Sequence, residues 1–142
     1  MITKIHYTKG ARFDFGTHIN EFLVPREKAL SSETFLVIIR PGKATHLHMH
    51  PDMEQIFYVI KGRGSLFTCT NARVKLRKVH EIKSGDVVHI PLKTWHTVSC
   101  AGKRPLEYLC VDAFPKGHLH GEKTALAHAR NVVAAEKKKK NR

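Results

Sequence analysis

Apolar and polar positions along this chain fall into short runs broken by turn residues. Residues 35–40 form a continuous apolar run that ends in Arg40, 56–61 form a second, and 65–70 alternate apolar and polar side chains. Residues 74–79 alternate with outward-looking charges, a Val-Val-His-Ile-Pro strand signal follows Ser84-Gly85-Asp86, and 106–113 supply a last core strand. Upstream, 13–15 and 19–24 read as one bent or broken strand before a polar connection over 26–33. Short strands at this spacing, punctuated by Gly16, Gly42, Gly62, Gly64, Gly85 and Gly102, predict an antiparallel sandwich or barrel. After Pro115 the period changes: over 122–138 the alanines, Leu126, Ala129 and Val133 recur at helical spacing, and lysines gather at the end where the helix dipole favours cations. The fold class is therefore all-β, a single antiparallel barrel domain with a C-terminal helix. It divides into an N-terminal arm and connection (1–34), a barrel core (35–114), and a helix with a basic tail (115–142). The apolar face of that helix is thin, so it packs lightly on the barrel or is ordered by a neighbour.

The histidines add chemistry to this frame. His46, His48 and His50 stand at alternate positions, and residues two apart in a strand share a face, so the string aims three imidazoles at one space. His96 follows the next strand signal. Such imidazoles are expensive to bury unpaired, and their mutual repulsion suppresses protonation, which makes a bound cation the economical reading. Neutral imidazole suits zinc, copper, iron and nickel, and open positions suit a catalytic ion better than a closed structural zinc. The isolated His6, His18, His80 and His128 read as structural, and His118 and His120 as turn residues without a role.

Two segments extend the pattern. The first runs from Gly42 through five residues to His48, one residue to His50, then Glu54, Gln55 and Gly62; the second runs from Gly85 through five residues to Pro91 and on to His96. Together, over 35–112, they resemble the paired motifs of the cupin family. That resemblance implies a double-stranded β-helix, or jelly roll, with one divalent metal ion in its lumen, of iron, zinc, nickel or manganese. Carried onto this chain, it makes His48, His50 and His96 ligands. The fourth position is Glu54 when counted forward from His50 and Gln55 when counted back from Gly62, with Gln55 slightly favoured. Two residues depart from the family pattern: Lys93 stands where glycine is usual and Cys100 where asparagine is usual.

The resemblance further implies a metal-dependent enzyme acting on a small polar metabolite, anionic or sugar-derived. Ferrous iron would open dioxygenase chemistry, and zinc, nickel or manganese isomerase or lyase chemistry. With Gln55 as ligand, His46 at the rim or Glu54 is the candidate to move a proton. Arg40, ending its strand, is a candidate to fork onto a substrate carboxylate, with Tyr58 and Trp95 as candidate pocket wall. The alternative is a non-catalytic module that binds or senses a metabolite or sugar. Family arms often cross to a second subunit, so a homodimer is expected.

Composition limits the remaining classes. A chain of 142 residues makes one domain, and its apolar runs are too short to cross a bilayer. The N-terminus lacks the apolar stretch of a secretory signal, so a cytoplasmic location is expected. Cys69, Cys100 and Cys110 are an odd count without paired spacing and read as free thiols. The formal charge of +13 is spread over core and tail. No aromatic residues interleave Lys137–Lys140, so the run reads as a solvated end and nucleic acid as an improbable partner.

Overall fold

Period-two alternation becomes nine strands in the computed structural model, which describes residues 1–70, 77–117 and 124–141. In chain order they are β1 (Ala11–Asp14), β2 (Ile19–Val24), β3 (Ser32–Ile39), β4 (Glu54–Lys61), β5 (Arg63–Cys69), β6 (Arg77–Lys83), β7 (Val87–Ile90), β8 (Trp95–Ala101) and β9 (Leu106–Ala113), followed by helix α1 (Ala125–Lys140). A six-stranded sheet in the order β1-β2-β3-β9-β4-β7 faces a three-stranded sheet in the order β6-β5-β8, and every pairing is antiparallel. This is the all-β antiparallel barrel with a C-terminal helix that the pattern predicts, in the jelly-roll form that the resemblance implies.

The registers of β3 and β4 on β9 build the lumen in rungs. Val37, Tyr108 and Val59 form one rung, Phe35, Cys110 and Phe57 the next, and Glu33, Asp112 and Gln55 the third. The first two rungs are core: the Phe57 and Tyr108 rings pack tilted with centroids 4.4 Å apart, and Leu66, Ile82 and Val98 close on them from the small sheet. Each fully buried large apolar side chain contributes about 1.5–3 kcal/mol. The third rung is polar and buried. The sequence pattern assigns Glu33 to a connection, but the Phe114 amide donates to the Ser31 carbonyl and the β3–β9 ladder runs to the Ser32–Ala113 pair, which turns Glu33 inward. The run predicted over 74–79 is a strand beginning at Arg77; residues 71–76 lie outside the described residues.

Helix α1 is docked by its first turns. The Thr124 hydroxyl accepts from the Ala127 amide as N-cap and donates to Glu27, and Leu126 and Ala129 enter the main core cluster. Beyond them the helix is mostly exposed, with Lys137 to Lys140 at its free end. No helix among the described residues is long and apolar enough to cross a membrane.

At Gly64 the backbone lies close against β8 and against Leu106 of the large sheet. A Cβ there would meet the Ser99 carbonyl oxygen and sit 2.7 Å from Leu106 Cδ2. Gly64→Ala is expected to destabilise the barrel by about 1–3 kcal/mol, as overpacking does. An unchanged denaturant midpoint would show that β5 and β8 have room to part there.

Candidate metal centre

The segment carrying the three alternate histidines is not a strand, contrary to its period-two pattern. It is an extended loop tied to β8 at isolated points, Ala44 to Ser99 and His48 to His96. The His48 amide donates to the His96 carbonyl at 3.1 Å and the His96 amide returns the bond at 2.9 Å. Upstream, the Thr45 amide donates to Val98 O at 2.9 Å, and the Thr45 hydroxyl accepts from the Val98 amide at 2.9 Å. Lys93, standing where the family has glycine, takes φ 59, and its amide donates to the His50 carbonyl at 2.8 Å. This left-handed conformation explains the usual glycine.

These ties gather His48, His50 and His96, whose candidate ligand atoms lie within 4.8 Å of one another. Ring centroids are 4.3 Å apart for His48 and His96 and 4.9 Å for His48 and His50. The rings are also oriented. His48 Nδ1–H donates to the His46 carbonyl and His96 Nδ1–H to the Thr94 carbonyl at 2.8 Å, which leaves each Nε2 with its lone pair. His50 Nε2 and His96 Nε2 are buried with no hydrogen-bond partner. Burial, reinforced by His48 and His96, depresses the His50 pKa to about 4; burial also brings His96 to about 4, with the Thr94 carbonyl opposing and His48 reinforcing. Near neutral pH both rings are therefore unprotonated, as metal ligands must be.

Strand alternation separates the two candidates for the fourth position. Gln55 faces the lumen, where its Nε2 donates to Asp112 Oδ1 at 2.8 Å and lies 3.6 Å from Cys110 Sγ. Its Oε1 is buried and has no hydrogen-bond partner. Glu54 faces outward and bonds His89 Nε2 at 2.9 Å. His46 lines the lumen cavity, about 500 Å³ in volume, as do His48, His50, Gln55 and His96. The other expected contacts are elsewhere: Arg40 is exposed and pairs with Asp14 at 3.0 Å, Tyr58 is 49% exposed on the outer face, and Trp95 is outside the cavity lining. His118 and His120 lie outside the described residues.

Sequence reasoning misses several lining residues. His18 and His128 reach the cavity despite standing alone in the sequence, and Glu33, Asp52 and Asp112 join them. Burial lowers the His18 pKa, helped by His48 and His46. Counting two residues back from Phe35 and two on from Cys110 could have found Glu33 and Asp112, because alternate residues share a face.

Comparisons with known proteins agree with this architecture. A family model described as a cupin domain matches residues 35–112. An uncharacterised protein of Methanocaldococcus jannaschii is 36% identical over 104 residues, covering 72% of this chain and 78% of its own. Auxin-binding protein 1 of Arabidopsis thaliana is 29% identical over 85 residues, 58% of this chain and 42% of that protein. Among solved structures, a Lactobacillus farciminis oxalate decarboxylase in complex with formate superposes with TM-score 0.67 at 24% identity, over 78% of this chain and 33% of that one, a likeness of fold.

The two depressed histidines give the metal-free protein a defined pH response. Their pKa falls from 6.5 unfolded to about 4 folded, so between these values the unfolded state binds more protons. Their contribution is present above pH 6.5 and is lost as pH falls towards 4. Thermal midpoints measured in chelator should drop across that window, with a shallower slope in His96→Leu. Equal slopes in the two proteins would contradict a buried, neutral His96.

Proposed function

The chain belongs to the cupin family, and from that premise we propose that it is a metal-dependent enzyme acting on a small polar metabolite held in the barrel lumen. The observation that carries this reading is the cluster of His48, His50 and His96, whose candidate ligand atoms lie within 4.8 Å of one another and in which His50 Nε2 and His96 Nε2 are buried without partners; Gln55, whose Oε1 is also buried without a partner, lines the same cavity. Unsatisfied buried polar atoms are costly, and a divalent cation satisfies them together. In the proposed set His48, His50 and His96 supply nitrogen and Gln55 a neutral oxygen. Such an ion supplies Lewis-acid polarisation of a substrate oxygen, and iron would add redox chemistry.

The chain's own residues do the rest. Asp112 holds the Gln55 amide by its nitrogen, which fixes its oxygen towards the lumen. Three neutral imidazoles and an amide leave the cation's charge uncompensated, which favours an anionic oxygen of the substrate. Phe35, Phe57 and Phe114 form apolar wall that excludes water. Proton movement falls to His46 at the cavity, since Glu54 lies on the other face in its pair with His89.

A second reading, a metabolite-binding module without turnover, draws on the likeness to auxin-binding protein 1 and on the largely apolar wall. It shares the metal site and differs in lacking product formation when metal-loaded protein meets a ligand that it binds.

Elemental mass spectrometry of protein purified without chelator should find near-stoichiometric divalent metal. The double variant His48→Ala with His96→Ala should lose it while keeping the circular dichroism of a folded barrel. Retention of stoichiometric metal in that variant would sink the ligand assignment.

A further inference from the structure

Inward alternation on β2 brings two polar side chains into the cavity that the metal reading does not use. Asn20 pairs with Phe13 on one side and Val37 on the other, which extends the first rung of the lumen to Phe13, Asn20, Val37, Tyr108 and Val59. It is an amide among apolar and aromatic neighbours. It lines the cavity, and among the described residues its Oδ1 is buried with no hydrogen-bond partner. Folding alone gives no reason for it, since an unpartnered buried amide costs free energy that an apolar residue in its place would not. His18 stands two residues earlier, shares the face and lines the same cavity.

The turn before β2 fixes the His18 ring. Asp14 accepts from the Gly16 amide at 2.9 Å and pairs with Arg40 at 3.0 Å, and the Phe15 amide donates to the His18 carbonyl at 2.9 Å. The ring lies against Phe15 with centroids 5.2 Å apart, and its Nδ1 is bonded with the Thr17 hydroxyl at 2.9 Å, so Nε2 is the nitrogen left for a ligand. His18 is within electrostatic reach of His46 and His48, which sets this end of β2 beside the candidate metal centre. The buried carboxyls of the third rung, Glu33 and Asp112, stand four residues away along β3 and β9, about 13 Å by strand rise.

Uncharged groups of this kind choose a ligand by its hydrogen-bond pattern. An amide offers an acceptor and donors, and a neutral imidazole nitrogen gives or accepts according to its tautomer. A hydroxyl does both, so it matches the pair whichever way the Asn20 amide is turned and whichever His18 nitrogen holds the proton. A carboxylate can only accept, an ammonium can only donate, and a methyl placed there would leave Asn20 Oδ1 unsatisfied. Resting on the metal reading above, we propose that His18 and Asn20 form a hydroxyl-recognition subsite beside the histidine centre, and that the substrate class is a small hydroxy acid, its carboxylate oxygens at the histidines and a hydroxyl between the two β2 side chains. Burial lowers the His18 pKa, with His48 and His46 pushing the same way and Asp14 opposing, in keeping with an uncharged subsite.

The test is calorimetric titration of the metal-loaded full chain with lactate, 3-hydroxypropionate and 4-hydroxybutyrate, each against the acid that lacks its hydroxyl, propionate or butyrate. At least one hydroxy acid should bind about tenfold or more tighter than its deoxy partner. Chelation of a bound metal by the hydroxyl would also give a preference, but that preference would survive in Asn20→Leu, whereas recognition at β2 predicts a ratio reduced to about twofold or less. His18→Phe should reduce the ratio too, and His18→Gln, whose amide offers a donor and an acceptor, should retain more of it. Malonate and β-alanine, which put a charge where 3-hydroxypropionate has its hydroxyl, should lose less affinity in Asn20→Leu than the hydroxy acid does. No binding by any hydroxy acid, no preference over the deoxy acids, a ratio that either Asn20→Leu or His18→Phe leaves unchanged, or a larger loss for malonate or β-alanine would each overturn the inference. Metal loading is checked before titration: failure to load overturns the underlying metal reading and this inference with it, whereas a loaded protein without the preference overturns this inference alone.

Discussion

The candidate centre depends on one reciprocal pair of backbone hydrogen bonds, between His48 and His96. Each residue gives its amide to the other's carbonyl, so a loop with no ladder of its own is clipped to β8 at the point where both side chains turn towards the lumen. The clip does more than bring two residues together. With the loop path fixed there, His50 follows at the next same-side position, and the Lys93 amide caps its carbonyl from the turn before β8. Three rings contributed by two distant segments thus share one small volume, at the cost of placing buried nitrogens where no protein group can donate to them.

The electrostatics of the lumen follow from that arrangement. Low-dielectric surroundings and neighbouring rings keep His50 and His96 neutral, while the same burial makes the Glu33 and Asp112 carboxyls hold on to a proton. The two rings carry no charge near neutral pH, and their buried Nε2 atoms are without partners. Gln55, neutral, is bonded to Asp112 through its nitrogen, and its oxygen is buried without a partner. Buried, unprotonated ring nitrogens without partners have their natural complement in a cation.

Much of this is legible in the sequence because strand alternation and turn glycines are local signals. The continuous runs became β3 and β4, and the 106–113 segment became β9 with the bounds read from its pattern. The spacing from Gly42 to His48 and from Gly85 to Pro91 locates the loop and strand that carry the ligands, since those turns fix the chain's direction. Other features depend on pairing between segments far apart. Glu33 looks like part of a polar connection until β9 pulls it into register with Asp112, and Arg40 looks like a substrate anchor until the arm brings Asp14 to it. His18 and His128 are solitary in the sequence and reach the cavity only through the hairpin of the arm and the docking of α1 on its first turns. Tyr58 and Glu54 differ from Phe57 and Gln55 by one residue, and a single step along a strand reverses the face.

The most direct test is X-ray absorption at the metal edge on the loaded protein. Three imidazoles and additional low-mass oxygen donors at about 2.0–2.2 Å, with no sulfur in the coordination shell, are what a His48, His50, His96 and Gln55 centre predicts. Fewer than three imidazoles, or a sulfur scatterer that would bring in Cys110, would contradict it.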